Sequence, residues 1–259
     1  MAAAMRDSSG NGPGFLGTLY LVRHGETVGS EKKCYKGSID VPLSTRGIEQ
    51  IKATSDFLAG LLRRSAGARY LSCLKDIHGI RREKPGGDER TLATVYCSGL
   101  SRAVKSAEII AAPYGLTPVV IPDLRERGFG IWEGMTFTEI MEKYPVEFEA
   151  WAGDPLRYSP IDGESTVEVR DRVLGALEKI LEESQNSPST TKNIAVVAHG
   201  GVNRIILCHL MGIPLGNIFR IEQDLGAVNI IEFWERYPVV KRLNIVPFSP
   251  EDGKGAENG

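Results

Sequence analysis

Two of the four histidines in this 259-residue chain stand directly after an apolar run and directly before a glycine. His24 follows Leu19–Arg23, and His199 follows Asn193–Ala198. A glycine in such a place lets the backbone come close to a ligand. Because a neutral imidazole can act as a nucleophile, both histidines are candidates for group-transfer chemistry.

Two arginines accompany these histidines. Arg23 immediately precedes His24, and Arg102 follows the apolar run 93–97 after a short turn. A guanidinium group presents a planar fork of donors that fits phosphate oxygens. Phosphoryl transfer needs such fixed positive donors, an in-line nucleophile and a proton for the leaving oxygen. The arginines and histidines together therefore predict a site that handles phosphate esters.

The proton source is predicted to be a carboxylate in the segment 124–134, which contains Glu126, Glu133 and three glycines. A carboxylate beside a cationic pocket could protonate the leaving oxygen and then deprotonate water. Spacing alone leaves both glutamates open for this role. Arg125 and Arg127 flank Glu126 and are expected to form salt bridges or to reach solvent.

Other chemistries fit the sequence poorly. Cys97 and Arg102 are one residue too close for the loop of a phosphatase that uses a thiolate. The sequence has no paired Asp motif or Cys/His cluster for a metal, so neither a metal nor another cofactor is predicted.

His209 is expected to pack or to lie at the surface, and His78 to be solvated. A net charge of −2 argues against a nucleic-acid partner, and the absence of a long apolar run argues against a membrane span. Four scattered cysteines are typical of a reducing cytoplasm.

The elements that must position these residues alternate along the chain. Strands are predicted from apolar or alternating runs at 19–23, 93–97, 193–198, 228–234 and 239–246. Helices are predicted after Ser44 and at 101–112, 164–183 and 202–211, with helical pieces between 122 and 151. This order predicts an α/β fold: a single-domain three-layer α/β/α architecture with a mostly parallel sheet and helices on both faces. Ligands bind at the carboxyl ends of strands in such sheets, where both His24 and His199 fall.

The predicted domain occupies residues 18–248, between a flexible leader at 1–17 and a flexible tail at 249–259. Within it, residues 63–90 form a polar stretch with more basic than acidic residues. A loop of that length is uncommon inside a compact domain, so we expect a basic insertion or flap. The sequence leaves open whether the chain forms a homo-oligomer.

Six short motifs resemble the histidine phosphatase superfamily, the phosphoglycerate mutase-like proteins, and most closely its α-ribazole phosphatase branch. They are LVRHGET at 21–27, YKG at 35–37 with DVPLS at 40–44, SGLSRA at 98–103, LRE at 124–126 with GIWEG at 130–134, GES at 163–165, and AHGGV at 198–202. The resemblance implies that His24 becomes phosphorylated and that Arg23, Arg102 and His199 hold the phosphoryl oxygens. It also implies that Glu126, and not Glu133, is the acid and base.

The resemblance further implies that Ser30, Gly37 and Gly200 contact the substrate together with the two arginines. The chain departs from the family at 29–30, where Gly-Ser replaces a Trp-Asn pair. It also lacks the Arg-Arg pair that family mutases carry after the position of Gly134. A metal-independent phosphatase for a small phosphorylated metabolite, with α-ribazole 5′-phosphate as the candidate, is therefore favoured. Phosphoglycerate mutase, phosphosugar phosphatase and phosphoserine phosphatase remain the alternatives.

Overall fold

The computed structural model describes residues 15–64, 90–234 and 237–248. The first strand begins at Phe15, so the last three residues of the predicted leader, 15–17, are in fact part of the sheet. They extend the strand because an antiparallel neighbour pairs with them. The predicted tail at 249–259 and residues 65–89 of the predicted insertion lie outside the described residues.

Six strands form one sheet in the order β3-β2-β4-β1-β5-β6. They are β1 Phe15–Arg23, β2 Thr94–Cys97, β3 Val119–Val120, β4 Asn193–Ala198, β5 Val228–Trp234 and β6 Tyr237–Ile245. The four strands β3, β2, β4 and β1 are parallel, and β5 and β6 run antiparallel beside β1. The prediction of a mostly parallel sheet is therefore confirmed.

Helices cover both faces of this sheet. They are α1 Thr45–Arg64, α2 Ser101–Ala111, α3 Phe137–Lys143, α4 Pro145–Gly153, α5 Thr166–Asn186 and α6 Gly200–Met211. Successive residues of a strand point to opposite faces. Leu19 and Leu21 accordingly pack in one core with α5 and α6. Tyr20 and Val22 pack in the other core with α1 and α2, which confirms the three-layer prediction.

Local signals explain where two of these helices begin. The Ser44 hydroxyl accepts a hydrogen bond from the Gly47 amide at 3.0 Å and so caps α1. Ser165 and Glu168 form a reciprocal capping box at the start of α5. No helix in the described part of the chain is long and apolar enough to cross a membrane.

The register of the parallel strands brings the two histidines together. Arg23 lies opposite Ala198 at the ends of β1 and β4, and the His24 amide donates to the Ala198 carbonyl at 3.1 Å. On the other side of β4, Cys97 pairs with Val197, so the turn that leads to Arg102 begins at the same edge. The carboxyl ends of three adjacent strands thus present His24, His199 and Arg102 to one place.

Candidate active site

The His24 imidazole is buried and oriented so that one ring nitrogen is left unprotonated. Its Nδ1 lies 2.7 Å from the Gly25 carbonyl oxygen. Because a carbonyl only accepts, Nδ1 carries the proton and donates, which leaves Nε2 unprotonated. Burial, followed by the positive charges of Arg23 and Arg102, lowers the pKa of His24 well below its ordinary value of 6.5. His24 is therefore a neutral imidazole at pH 7, with one unprotonated ring nitrogen.

The turn after His24 requires glycine for a steric reason. A Cβ atom at Gly25 would lie 2.3 Å from the carbonyl oxygen of Gly47, in the first turn of α1. Gly47 is equally constrained, because its own Cβ would lie 2.0 Å from the Glu26 carbonyl oxygen. The two glycines allow the backbone of the loop after β1 to lie directly against the first turn of α1. This backbone contact fixes the position of His24.

His199 lies beside His24, with ring centroids 5.1 Å apart in an edge-to-face arrangement. It is fully buried, and its Nε2 is 2.7 Å from the Ser98 hydroxyl. Its Nδ1 has no hydrogen-bond partner among the described residues. Burial, then the repulsion that a protonated His24 would exert and the charges of the arginines, lowers the pKa of His199 well below 6.5. A buried ring nitrogen without a partner suits an oxygen of a bound anion.

Arg102, at the start of α2, is held by two backbone carbonyls. One guanidinium nitrogen donates to the Ile39 carbonyl and the other to the Gly37 carbonyl, each at 2.8 Å. These bonds orient the guanidinium group without neutralising its charge. The side chain is only 3% exposed, and burial lowers the pKa of Arg102 from its ordinary value. An anion here would meet a fixed, poorly hydrated positive charge.

Arg23 approaches the first turn of α6 from the opposite side. One terminal nitrogen donates to the Gln223 carbonyl, while Nε has no partner among the described residues. A Cβ atom at Gly200 would lie 3.3 Å from both Cζ and Nε of Arg23. Gly200 thus makes room for the guanidinium group against the amino end of α6, which itself favours anions.

Glu126 reaches the same helix end. Its Oε2 accepts from the Gly201 amide at 3.1 Å and its Oε1 from the Arg127 amide at 3.0 Å. Among neighbouring charges, Glu126 acts most strongly on Arg23 and on Arg102, and it opposes the lowering of both pKa values by burial. The carboxylate therefore lies in the field of both guanidinium groups.

Glu133 has a different position, which distinguishes it from Glu126. Its Oε1 accepts from the Ser38 amide at 2.7 Å and from the Phe129 amide at 3.0 Å. It thereby ties two loops together. Gly37 is part of the same joint, because it has a φ of 45° and its Cβ would lie 2.3 Å from Glu133 Oε1. Gly37 and Glu133 hold the loop whose carbonyls orient Arg102.

The backbone that carries Glu126 is fixed by a partly buried ion pair. Arg172 of α5 donates to the carbonyls of Arg125 and Glu126 at 2.8 and 3.1 Å. Both carboxylate oxygens of Glu164 accept from Arg172 at 2.8 Å. Arg125 forms a salt bridge to Glu164 at 2.7 Å, as expected from the sequence. The members of this scaffold are spread over almost fifty positions, so their spacing along the chain does not show that they meet.

The Ser30 hydroxyl closes a turn: it donates to the Thr27 carbonyl at 2.7 Å and lies 2.9 Å from the Thr27 hydroxyl. Its contact with substrate stays a prediction. Lys36, which was not predicted as a site residue, donates to the Val28 carbonyl and the Thr27 hydroxyl at 2.7 Å. The charge of Lys36 also acts on His24. Its position next to Gly37 in a matching motif was the signal that could have identified it.

A cavity opens beside Glu126 and Arg23, with about 970 Å³ of empty space, its mouth included. Its walls are largely aromatic and come from loop residues and from α3 and α4. Arg127 and Arg204 also line it. Arg127 donates to the Glu164 and Tyr158 carbonyls and to Thr166. It is only partly buried, so it also reaches solvent, one of the two places expected for it.

The groups that other phosphatase chemistries would use are absent or inert here. Burial raises the pKa of Cys97 to about 11, so this thiol stays protonated and is a poor nucleophile. Within residues 15–64, 90–234 and 237–248, no three His, Cys, Asp or Glu side chains are grouped to hold a metal ion. His209 is exposed on α6, one of the two places expected for it.

Comparison with known proteins gives a consistent result. The sequence profile of the histidine phosphatase superfamily (branch 1) matches residues 19–75 and 88–246. Phosphoserine phosphatase 1 of Hydrogenobacter thermophilus is 29% identical over 227 residues, covering 88% of this chain and 92% of that protein. Adenosylcobalamin/α-ribazole phosphatase of Escherichia coli is 28% identical over 226 residues, covering 87% and 95%. The solved structure of α-ribazole phosphatase from Shigella flexneri superposes with a TM-score of 0.70 at 25% identity, covering 90% and 98%.

Proposed function

Because the chain belongs to the histidine phosphatase superfamily, we propose that it hydrolyses phosphomonoesters through a phosphoryl group carried on His24. The observation that supports this most is the state of that imidazole. It is buried and neutral, its Nδ1 proton is bonded to the Gly25 carbonyl, and its Nε2 lone pair lies in the field of Arg23 and Arg102. A nucleophilic nitrogen beside two fixed cations is what transfer of a phosphoryl group requires.

In the first step, His24 Nε2 attacks phosphorus, and the bond from phosphorus to the substrate oxygen breaks. Arg23 and Arg102 hold the equatorial oxygens, and His199 Nδ1 supplies a further hydrogen bond. The carboxyl group of Glu126 gives its proton to the departing oxygen, so the product leaves as a neutral alcohol. Its place at the amino end of α6, between the arginines and the cavity, suits this role.

In the second step, water attacks the phosphohistidine. The Glu126 carboxylate, left by the first step, removes a proton from the water as its oxygen bonds to phosphorus. The bond to His24 Nε2 then breaks, inorganic phosphate leaves, and both side chains return to their starting states. Each proton is accounted for without a metal ion, because the arginines provide the positive charge that a cation would otherwise supply.

Hydrolysis is favoured over phosphoryl transfer to phosphoglycerate by the cavity beside Glu126. A mutase must hold a carboxylate at the far end of its substrate, and this cavity offers mainly aromatic walls. Small phosphorylated metabolites, with α-ribazole 5′-phosphate and phosphoserine as candidates, are the proposed substrates, on the strength of relatives that carry those names. The free thiols of Cys34, Cys97 and Cys208 support a cytoplasmic location as part of this proposal.

A substitution at His24 tests the proposal. His24→Ala should abolish hydrolysis of 4-nitrophenyl phosphate while the melting transition remains cooperative, because the nucleophile alone is removed. His209→Ala is the matched control, since that histidine is exposed on α6 and should leave kcat unchanged. Retention of activity in His24→Ala would show that another group attacks phosphorus.

A further inference from the structure

Several aromatic rings in the wall of the cavity beside Glu126 pack on one another. Trp132 stacks on Tyr158 with centroids 5.8 Å apart and meets Trp151 edge to face at 6.4 Å. Phe148 packs on Trp151 at 5.6 Å. Aromatic pairs in these arrangements hold one another in place. The walls are therefore prepared before any ligand arrives.

Charged groups at the cavity are either committed to the protein or placed at its phosphate end. Arg127 uses three guanidinium nitrogens on the Glu164 and Tyr158 carbonyls and on Thr166. Arg204 donates to the Ile221 carbonyl and to Glu222. Glu126 is the one carboxylate among the described lining residues. A leaving alcohol with its own ammonium and carboxylate groups would lose water here without finding new partners, which is costly.

One polar group in the wall has no partner. Trp132 is 4% exposed, and its indole Nε1 makes no hydrogen bond within the described part of the chain. A buried donor left in this way is satisfied when a ligand brings an acceptor. The wall thus combines much apolar surface with one buried donor that lacks a partner.

From these observations we propose that the cavity receives the leaving alcohol of the substrate and selects alcohols that carry an uncharged aromatic ring system. This inference rests on the proposed function and specifies its substrate class. The phosphate lies between Arg23 and Arg102, the ester oxygen meets Glu126, and the ring lies among Trp132, Trp151 and Phe148. Trp132 Nε1 donates to an acceptor atom on the ring system. Serine and glycerate are small, charged alcohols, and they leave the cavity unfilled.

A series of alkyl phosphates with a common reacting end tests this assignment. Ethyl phosphate, 2-phenylethyl phosphate and 2-(2-naphthyl)ethyl phosphate share the same primary ester, so the chemical step is equally difficult for all three. The value of kcat/KM should rise by about 50-fold or more from the first to the second, because a buried phenyl ring removes on the order of 100 Å² of apolar surface from water. O-Phosphoserine should resemble ethyl phosphate, and α-ribazole 5′-phosphate should resemble the aromatic esters. Equal values for ethyl and 2-phenylethyl phosphate would overturn the inference.

Binding provides a readout that does not depend on turnover. With the His24→Ala protein, calorimetry should show tighter binding of 2-phenylethyl phosphate than of ethyl phosphate by a similar factor. If the parent enzyme cleaves no phosphate ester yet this difference in binding persists, the proposed function is at fault and the pocket assignment stands. If esters are cleaved but neither rates nor binding depend on the ring, only the pocket assignment fails.

Two substitutions locate the effect in the cavity wall. Trp151→Ala should reduce the ratio of kcat/KM for 2-phenylethyl over ethyl phosphate by about tenfold, because it removes one wall. Phe57→Ala is the matched control, since Phe57 belongs to α1 and packs against the opposite core, so its loss should leave that ratio unchanged. Trp132→Phe keeps a ring but loses the donor, and it should weaken binding of 2-(benzimidazol-1-yl)ethyl phosphate while sparing 2-phenylethyl phosphate. An unchanged ratio in Trp151→Ala, or unchanged binding of the benzimidazole ester in Trp132→Phe, would contradict the assignment.

Discussion

Gly201 provides a sensitive test of the role of Glu126, because one added methyl group would displace the carboxylate. A Cβ atom at position 201 would lie 2.6 Å from Glu126 Oε1 and 3.4 Å from its Cδ. The obstructing atom belongs to the end of a flexible side chain, so the carboxylate must retreat by about 0.8 Å, and a misplacement of about 1 Å can cost about 10²-fold in rate. Gly201→Ala should therefore reduce kcat/KM for alkyl phosphates by about 10²-fold.

The assay compares alkyl phosphates with 4-nitrophenyl phosphate, whose leaving oxygen needs little protonation. The aryl ester should lose much less than tenfold, because kcat/KM reports the step that forms phosphohistidine. Stability should not fall, since alanine is favoured over glycine in helices by up to about 1 kcal/mol. Gly175→Ala in α5 is the control: its Cβ would meet nothing within 4 Å, so it should keep full activity. Full alkyl phosphatase activity in Gly201→Ala would refute the placement of the acid.

Three further predictions concern the acid, the histidines and metal ions. Glu126→Gln should slow alkyl phosphates by about 10²-fold or more relative to aryl phosphates, whereas Glu133→Gln, which keeps its acceptor oxygen, should show no such dependence in the same kcat/KM assay. Because burial lowers the pKa values of His24 and His199 in the folded state, the unfolded chain binds more protons than the folded chain below pH 6.5. The free energy of unfolding, measured with urea, should therefore fall from pH 6.5 downward by about 1.4 kcal/mol per pH unit for each histidine. The same pH dependence in the variant with both histidines changed to alanine would contradict this. Activity should survive dialysis against EDTA, and a loss restored by added magnesium or zinc would count against the mechanism.

The parts of the fold that sequence could predict are those where burial dictates residue type. The bounds predicted for β4 and β5 agree with the structure, because strands inside a sheet covered on both faces must be apolar. β3 was missed because it is two residues long and both are exposed. The start of β1 was missed because the apolar run that predicted the strand begins only at Leu19. Pairing with β5 extends the strand from there back to Phe15, across Gly17.

The parts of the site that sequence could not resolve depend on contacts between distant segments. Spacing left Glu126 and Glu133 as alternatives, and the structure separates them because Gly201 meets one and Ser38 the other. The aromatic cavity was not predicted for the same reason. The rings of Trp132, Phe148 and Trp151 lie in the stretch 122–151, for which a loop and helical pieces were predicted, and spacing along the chain does not show that they surround one space.

The most direct test of the mechanism is to locate the phosphoryl group during turnover. Glu126→Gln protein mixed with an aryl phosphate, quenched rapidly without acid and digested, should yield a peptide that carries phosphate on His24, identified by electron-transfer fragmentation. The adduct should be lost in acid, as expected for phosphohistidine. Phosphate found on Cys97 or on another residue, or rapid release of inorganic phosphate with no covalent adduct in single-turnover experiments, would contradict the account.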